Sequence, residues 1–275
     1  MFTLNCKGRL LAIDKPLVMG IINTTPDSFY RGSRFVGVDE IVAKAEKMLN
    51  DGADIIDIGG QSTRPGSELI SVEEELKRVV PAIEAIADKF PRAFISIDTF
   101  YSEVAKMAAR AGATIVNDIS AGRIDHKMIN TVAALQMPYI LMHMKGTPQN
   151  MQENAVYENL TGELLDFFIA RTAELKNAGI VDIIIDPGFG FAKTIGQNFE
   201  LLKNLSVFKI LDRAIMIGIS RKSTIYKTLD LNPEDALNGT TALNTIGLMN
   251  GASILRVHDV KEAKEVVRLF CATYK

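Results

Sequence analysis

Residues 53–88, ADIIDIGGQSTRPGSELISVEEELKRVVPAIEAIAD, contain the unit that determines the fold. A short apolar run, 53–58, is followed by a polar loop and then by apolar residues at helical spacing. Ser71 and Glu74 have the spacing of a capping box that opens a helix continuing to about Asp88. Near-continuous apolar runs are typical of parallel strands that are buried on both faces. The stretch therefore predicts one strand, one loop and one helix in succession.

The same unit recurs along the chain. Seven further short apolar runs precede turns or polar residues: 17–22, 93–97, 113–117, 139–143, 182–186, 214–219 and 253–257. Apolar residues at helical spacing follow several of these runs, as in 156–177 and 260–274. Eight strand-then-helix units in about 250 residues predict a (β/α)₈ TIM barrel. A Rossmann-type open sheet is the alternative, but no GxGxxG motif follows the first run.

The two ends of the chain fit the same architecture. Lys7 and Gly8 lie in the middle of 3–13, TLNCKGRLLAI, and predict the turn of a short N-terminal β-hairpin at the bottom of the barrel. No Pro/Gly/Ser-rich linker and no shift in composition divides the sequence. We therefore expect residues 1–275 to form a single barrel domain.

Composition excludes several classes of protein. Hydrophobic residues make up 47% and charged residues 23% of the 275 residues, which argues against a disordered or fibrous chain. The net charge of −2 offers no basic field for nucleic acid or for an anionic membrane. The start does not resemble a secretory signal, no apolar run approaches ~18 residues, and Cys6 and Cys271 lack a metal-binding motif. The expectation is a soluble cytoplasmic protein without structural zinc.

Polar side chains follow the predicted strands at the end where a barrel carries its chemistry. Carboxylates and an amide lie at the ends of the runs 93–97, 113–117 and 182–186: Asp98, Asn117 and Asp186. Basic side chains lie at or after the ends of the runs 53–58, 214–219 and 253–257: Arg64, Lys222, Arg256 and His258. Carboxylates and amides suit the amino and ring N–H groups of a flat heterocycle, whereas cations suit phosphate. His143, at the end of run five, is interpreted either as a packed core residue or as a ligand contact. Any single polar residue could be a helix cap, but the set indicates a site for a phosphorylated heterocycle.

Eight short motifs, in order along nearly the whole chain, resemble those of the dihydropteroate synthase family. They are GIINTTPDSF (20–29), DIGGQSTRPG (57–66), SIDTF (96–100), NDIS (117–120), LMH (141–143), DPGFGF (186–191), SRK (220–222) and RVHDV (256–260). Each motif alone is weak, but the combination is highly specific. The resemblance implies a transferase of folate biosynthesis. It would condense 6-hydroxymethyl-7,8-dihydropterin diphosphate with 4-aminobenzoate and release 7,8-dihydropteroate and diphosphate.

The resemblance also implies a role for each matching residue. The pterin would be held by Asp98, Asn117, Asp186 and Lys222, with Met142 beside it, and the diphosphate by Thr63, Arg64, Arg256 and His258. The C–O bond to diphosphate would break first, leaving a pterin cation that the amine of 4-aminobenzoate attacks. The catalytic set would be Asp98, Asp186, Lys222, Arg256 and His258, because carboxylates stabilise the cation and basic groups stabilise the departing anion. No enzymic nucleophile would be required.

The remaining implied contacts concern the second substrate and a metal ion. Asp27, Phe29, Arg64, Pro65, Phe191 and Ser220 would form the 4-aminobenzoate pocket, where sulfonamide inhibitors would compete. Asn23 would contribute to a Mg²⁺ site that the substrate diphosphate completes, in keeping with the preference of Mg²⁺ for water and phosphate oxygens. Members of the family are commonly dimers, so a homodimer is expected.

Two alternatives remain open at this point. A pterin-dependent methyltransferase would share the barrel and the pocket formed by Asp98, Asn117 and Asp186, although methyl transfer needs no side chains that bind diphosphate. A pterin-binding relative without catalytic activity is the second alternative. The loops at 25–29 and 62–66 and the pair Arg256 and His258 favour the synthase over both.

Overall fold

Eight parallel strands close into a barrel in a computed structural model that describes residues 1–24, 34–61 and 69–274. Each predicted run overlaps one of these strands, and the strands pair in chain order, with the last closing on the first. The barrel strands are β3 (Leu17–Asn23), β4 (Ile55–Gly59), β5 (Phe94–Asp98), β6 (Ile115–Asp118), β7 (Tyr139–Met142), β8 (Ile183–Asp186), β9 (Ala214–Ile217) and β10 (Ile254–Val257). The predicted TIM barrel is confirmed.

Among the described residues, helices lie between successive barrel strands, and a last helix follows β10. They are α1 (Arg34–Asn50), α2 (Val72–Lys89), α3 (Ser102–Ala111), α4 (Met128–Leu135), α5 (Leu160–Asn177), α6 (Ile195–Lys203), α7 (Ser223–Tyr226), α8 (Leu237–Met249) and α9 (Val260–Thr273), with 3₁₀ turns at Leu205–Leu211 and Pro233–Asp235. In this part of the chain no helix combines the length and the apolar character that crossing a membrane requires.

Capping residues set where two of the predicted helices begin. The hydroxyl of Ser71 accepts a hydrogen bond from the Glu74 amide at 3.2 Å, so α2 begins where the sequence indicated. The predicted start of the long helix at 156 is wrong by four residues. Asn159 caps α5 by accepting from the Gly162 amide at 3.0 Å, and this side chain fixes the start at Leu160.

Alternate residues of the strands point to opposite sides of the barrel wall. Residues on one side pack against the helices, as Ile56 and Ile58 do. Residues on the other side form an apolar cluster within the lower barrel: Leu17, Met19, Ile55, Ile115, Ile140, Ile184, Ala214, Met216 and Ile254. Two residues further along most strands the same inner face becomes polar, and this change separates a packed floor from a reactive rim.

The N-terminal hairpin closes the floor, as predicted. Strands β1 (Phe2–Cys6) and β2 (Arg9–Ile13) pair in antiparallel fashion, and Leu4, Cys6, Leu11 and Ile13 belong to the same apolar cluster as the floor. The Arg9 guanidinium donates to the Pro91 and Ala93 carbonyl oxygens at 2.9 and 2.8 Å, which fixes the hairpin to the strand-entry loops. Small molecules must therefore enter from the opposite rim.

Candidate active site

One pocket at the rim is lined by seven of the residues that the sequence singled out. They are Asp98, Asn117, Met142, Asp186, Phe191, Lys222 and Arg256, and Ile119 and Gly218 complete the described lining. Strand register explains part of this grouping, because Asp98 of β5 stands opposite Asn117 of β6 and Met142 of β7 stands opposite Asp186 of β8. Side chains separated by many residues in sequence therefore meet at neighbouring strand ends.

The Arg256 guanidinium lies between two carboxylates. Its Nη2 is 2.6 Å from Oδ2 of Asp98 and 2.6 Å from Oδ2 of Asp57, while its Nε donates to Asp57 at 2.7 Å. Asp57 also accepts from Nδ2 of Asn117 at 3.2 Å. The sequence assigned Arg256 to diphosphate, whereas the structure places it against a carboxylate assigned to the pterin. The two predicted halves of the site are thus joined by an ion pair.

Burial controls the charge of this cluster. Burial raises the pKa of Asp98, and three neighbouring carboxylates reinforce this shift while Arg256 opposes it. Burial likewise raises the pKa of Asp186, against the Gly188 amide hydrogen bond and the charge of Lys222. Burial alone would lower the pKa of Arg256, but the adjacent carboxylates raise it, so the guanidinium stays charged. Arg256 is therefore a fixed cation among carboxylates whose ionisation is costly.

The loop between β8 and α6 is held by many hydrogen bonds. Oδ1 of Asp186 accepts from the Gly188 amide at 2.8 Å, which fixes the carboxylate at the strand end. Gly188 has a φ of +75°, and a Cβ there would lie 2.0 Å from the His143 carbonyl oxygen. The buried ammonium of Lys193 donates to the Gly188 and Phe191 carbonyl oxygens, both at 3.1 Å. These contacts fix the positions of Asp186 and Phe191 relative to the pocket.

His143 is a packed core residue, which is the first of the two interpretations drawn from the sequence. Its ring makes an edge contact with Phe167 at 4.9 Å between centroids, and its Nδ1 lies 3.2 Å from Nζ of Lys193. Burial, followed by the charge of Lys193, lowers the pKa of His143, so the imidazole is neutral and can accept from the ammonium. Its predicted alternative role as a ligand contact has no support from these contacts.

Lys222 reaches the pocket from the β9–α7 loop. Its ammonium donates to the Phe189 carbonyl oxygen and lies 4.5 Å from the centroid of the Phe191 ring. Burial lowers the pKa of Lys222 to about 8, although Asp186 opposes that shift. The ammonium thus remains a donor at neutral pH, next to an aromatic face that is suited to a flat ligand.

Ser220 and His258 form a second polar pair at the rim. The Ser220 hydroxyl lies 3.1 Å from Nδ1 of His258 and accepts from the His258 amide at 3.2 Å. Desolvation, followed by the positive charge of Arg256, lowers the pKa of His258 to about 4. These surroundings favour the neutral imidazole, although His258 is exposed at the rim, and its assignment to the diphosphate stays a prediction.

The structure places the other predicted residues as follows. Asn23 ends β3 opposite Gly59, with its side chain exposed at the rim. Five predicted residues lie outside the described residues: Asp27, Phe29, Thr63, Arg64 and Pro65.

Two buried charged residues next to the site were missed from the sequence. Asp57 interrupts an apolar run two residues after Ile55, and this inward position is a signal that could have been used. Lys193 follows the DPGFGF motif without any feature that distinguishes it from a surface lysine.

Comparison with known proteins gives a consistent result. The profile of the family described as pterin binding enzymes matches residues 19–258. The dihydropteroate synthase of Escherichia coli strain K12 is 43% identical over 269 residues, which cover 97% of this chain and 95% of that protein. Among solved structures, the Yersinia pestis dihydropteroate synthase with a sulfonamide drug complex superposes with a TM-score of 0.93 at 39% identity, covering 99% of both chains. The Xanthomonas albilineans dihydropteroate synthase in complex with 7,8-dihydropteroate gives 0.89 at 36% identity, also over 99% of both chains.

Proposed function

Because the chain belongs to the pterin-binding enzyme family and is similar over its length to dihydropteroate synthases, we propose that it is a transferase of folate biosynthesis. It joins 6-hydroxymethyl-7,8-dihydropterin diphosphate to 4-aminobenzoate and forms 7,8-dihydropteroate and diphosphate. The observation that carries this proposal is that Asp98, Asn117 and Asp186 share one pocket with Lys222 and Arg256. A pterin with a diphosphate group needs these two kinds of side chain within one site.

The carboxylate side of the pocket suits the pterin. Asp98 and Asp186 can accept hydrogen bonds from the amino group and ring N–H, and the Asn117 amide can both donate and accept. Lys222 can donate to a ring acceptor, while Met142 and Phe191 offer apolar surface to the ring faces. Since the pocket is walled by strand ends and by the tightly bonded β8–α6 loop, these groups are positioned before a ligand binds.

The same carboxylates suit the reaction. When the C–O bond to diphosphate breaks, positive charge develops on the pterin methylene and negative charge develops on the leaving group. Asp98 and Asp186 stabilise the cation, and Arg256 and His258 stabilise the anion. The neutral amine of 4-aminobenzoate then attacks the methylene carbon and loses a proton to solvent or to the diphosphate. The chain itself supplies charge and position rather than a covalent intermediate.

The second substrate enters from the outer rim. Phe191 and Ser220 lie on the two loops next to the pterin side, and they are proposed to contact 4-aminobenzoate or a competing sulfonamide. Asp27, Phe29, Arg64 and Pro65 are proposed to complete this pocket, and Thr63 with Arg64 to add to the diphosphate grip. The roles of these five residues are carried by the sequence motifs alone.

A Mg²⁺ ion could be held by Asn23 together with the substrate diphosphate. In the described part of the chain no group of three His, Cys, Asp or Glu residues could hold a metal ion. The exposed Asn23 amide at the end of β3 offers one neutral oxygen, which suits an ion that retains water and binds substrate phosphate oxygens. The proposed site is therefore Asn23 with the diphosphate, where the metal would offset the charge of the leaving group.

Three further expectations concern the cellular state of the protein. We propose a homodimer in the cytoplasm, with small molecules as ligands and with neither nucleic acid nor membrane as a partner. The net charge of −2 is consistent with this proposal. Sedimentation velocity at micromolar concentration tests the dimer, and a monomer at all concentrations would contradict it.

The proposed function is tested by following both products. The purified chain is incubated with the pterin diphosphate and Mg²⁺, with and without 4-aminobenzoate, and 7,8-dihydropteroate and diphosphate are quantified. We expect equimolar products that require 4-aminobenzoate, that disappear with EDTA and that return with excess Mg²⁺. Binding of the pterin diphosphate without turnover would instead identify a non-catalytic pterin-binding protein. Methyl transfer is disfavoured because the similar proteins are synthases.

A further inference from the structure

Asp57 lies directly behind the pocket, in a layer below the rim. It is two residues before the end of β4 and opposite Ser96 of β5, so its side chain enters the barrel beneath Asp98. The residue is completely buried, and it is not among the described residues that line the pocket. Asp57 therefore does not meet the substrates through the wall that the structure describes.

The hydrogen bonds of Asp57 go to two residues of the site. Oδ2 accepts from Nε of Arg256 at 2.7 Å and from Nδ2 of Asn117 at 3.2 Å, and Nη2 of Arg256 lies 2.6 Å away as an ion-pair contact. Oδ1 is buried without a hydrogen-bond partner among the described residues. A buried carboxylate is costly unless its partners compensate for lost hydration, and here Arg256 is the compensating charge.

Arg256 is shared between Asp57 and Asp98, but the two carboxylates differ in access. Asp98 lines the pocket and is available to a ligand, whereas Asp57 is sealed behind it. Nη2 of Arg256 donates its hydrogen bond to Asp98, whereas Nε donates to Asp57, so the Asp57 contact would persist when Asp98 turns to a pterin. The Asp57 contact fixes the base of the guanidinium and leaves its outer edge free to face the rim.

We propose that Asp57 is a positioning residue for the synthase reaction. It holds Arg256 and Asn117 in place, so that Arg256 can exchange Asp98 for the diphosphate without leaving the site. This inference rests on the proposed function, because it assigns Asp57 a role in binding the diphosphorylated pterin.

A double-mutant cycle tests the proposal with Asp57→Asn, Arg256→Gln and the double variant. Asp57→Asn keeps the size of the side chain and removes its charge. We expect kcat/KM for the pterin diphosphate to fall about ten- to hundred-fold, as for the loss of a charged hydrogen bond. KM for 4-aminobenzoate should change less than about threefold. In the Arg256→Gln background, Asp57→Asn should cost no more than about threefold, because its partner is already absent.

The matched control is Asp54→Asn. Asp54 precedes the same strand at the opposite end of the barrel and pairs with Lys264 at 2.7 Å. This variant loses an Asp-based ion pair directly before β4 and should keep kcat/KM within twofold of the wild type. If Asp57→Asn yields little folded protein, comparison of Arg256→Gln with the double variant, in which both charges are removed, still decides the question.

Two outcomes would overturn the proposal. Losses that multiply in the double variant would show that Asp57 acts independently of Arg256. A lower melting temperature with unchanged kinetic constants in Asp57→Asn would indicate a purely structural carboxylate. Failure of the wild type to form dihydropteroate is a separate result that would refute the proposed function. The cycle would then be measured with calorimetric Kd values for the pterin diphosphate.

Discussion

At the scale of single residues, folding stability and the proposed reaction favour opposite protonation states of Asp98. Burial and the neighbouring carboxylates raise its pKa, so ionisation costs more in the folded protein than in the unfolded chain. The proposed reaction needs the ionised form beside a pterin cation. Function and stability therefore make opposite demands on this carboxylate.

Asp98→Asn should lower activity, and its stability relative to the wild type should rise with pH. Because the folded pKa lies above the unfolded one, the wild type loses stability as pH rises from the unfolded pKa towards the folded pKa, and the variant escapes this loss. The variant's melting temperature relative to wild type should be higher at pH 8 than at pH 5. Its kcat/KM should fall about hundredfold or more. Thermal unfolding at both pH values checks the first point, and a relative decrease at pH 8 would contradict it.

His258 should respond to diphosphate. Its pKa is lowered to about 4 by desolvation and then by Arg256, and an anion bound beside it should stabilise the protonated ring. We expect saturating inorganic diphosphate to raise the pKa of His258 by at least one unit, as followed by NMR of the ring nitrogens between pH 4 and 8. An identical titration with and without diphosphate would remove His258 from the proposed grip.

Whether a residue's role can be predicted from the sequence depends on how far its interaction partners lie from it along the chain. The strand ends correctly predicted that Asp98, Asn117, Asp186, Lys222 and Arg256 share one pocket. The pairing of Arg256 with Asp57 joins residues 199 positions apart, and no local pattern indicates it. The lowered pKa of His258 is likewise a property of the folded chain.

Among the elements, the β8–α6 loop requires glycine at position 188, because a side chain there would collide with neighbouring backbone. Gly188 has positive φ and lies against the end of β7, so the loop follows the strand closely enough to fix Asp186.

The start of α2 can be predicted because the Ser71 cap is visible in the local sequence. The Asn159 cap lies within a longer apolar pattern, and this pattern predicts a start that is four residues too early.

Gly188→Ala should displace this loop. A Cβ would lie 2.0 Å from the His143 carbonyl oxygen, and the positive φ adds strain, so we expect a loss of about 2 kcal/mol or more of stability. The value of kcat/KM should fall at least about tenfold, because Asp186 and Phe191 move with the backbone. The control is Gly196→Ala in the first turn of α6, where a Cβ has no neighbour within 4 Å. Chemical denaturation and steady-state kinetics measure both effects, and equal behaviour of the two variants would contradict this account.

For the molecule as a whole, floor and rim have separate functions. The barrel was predictable because eight similar units specify the same strand pattern, and the hairpin because its turn and alternation are local. Residues 25–33 and 62–68 lie outside the described residues, and the single-domain assignment of 1–275 stays a prediction.

Leu4→Ala should weaken the floor without altering the site. Leu4 is 3% exposed in the apolar cluster that joins the hairpin to the barrel, so its truncation should cost about 2–4 kcal/mol. Leu10, on the same hairpin, is 71% exposed, and Leu10→Ala should cost less than about 0.5 kcal/mol. Both variants should keep the wild-type KM values. A changed KM for either substrate in Leu4→Ala would show that floor and rim are coupled.

In the proposed function, one rim of the barrel binds a pterin through carboxylates and its diphosphate through cations. Calorimetric Kd values for 6-hydroxymethyl-7,8-dihydropterin and for its diphosphate ester, measured with wild type and Arg256→Gln, test this division directly. We expect Arg256→Gln to weaken binding of the ester at least about tenfold more than binding of the pterin alone. Equal weakening of both ligands would contradict the claim and would leave Arg256 as a partner of Asp57 and Asp98 alone.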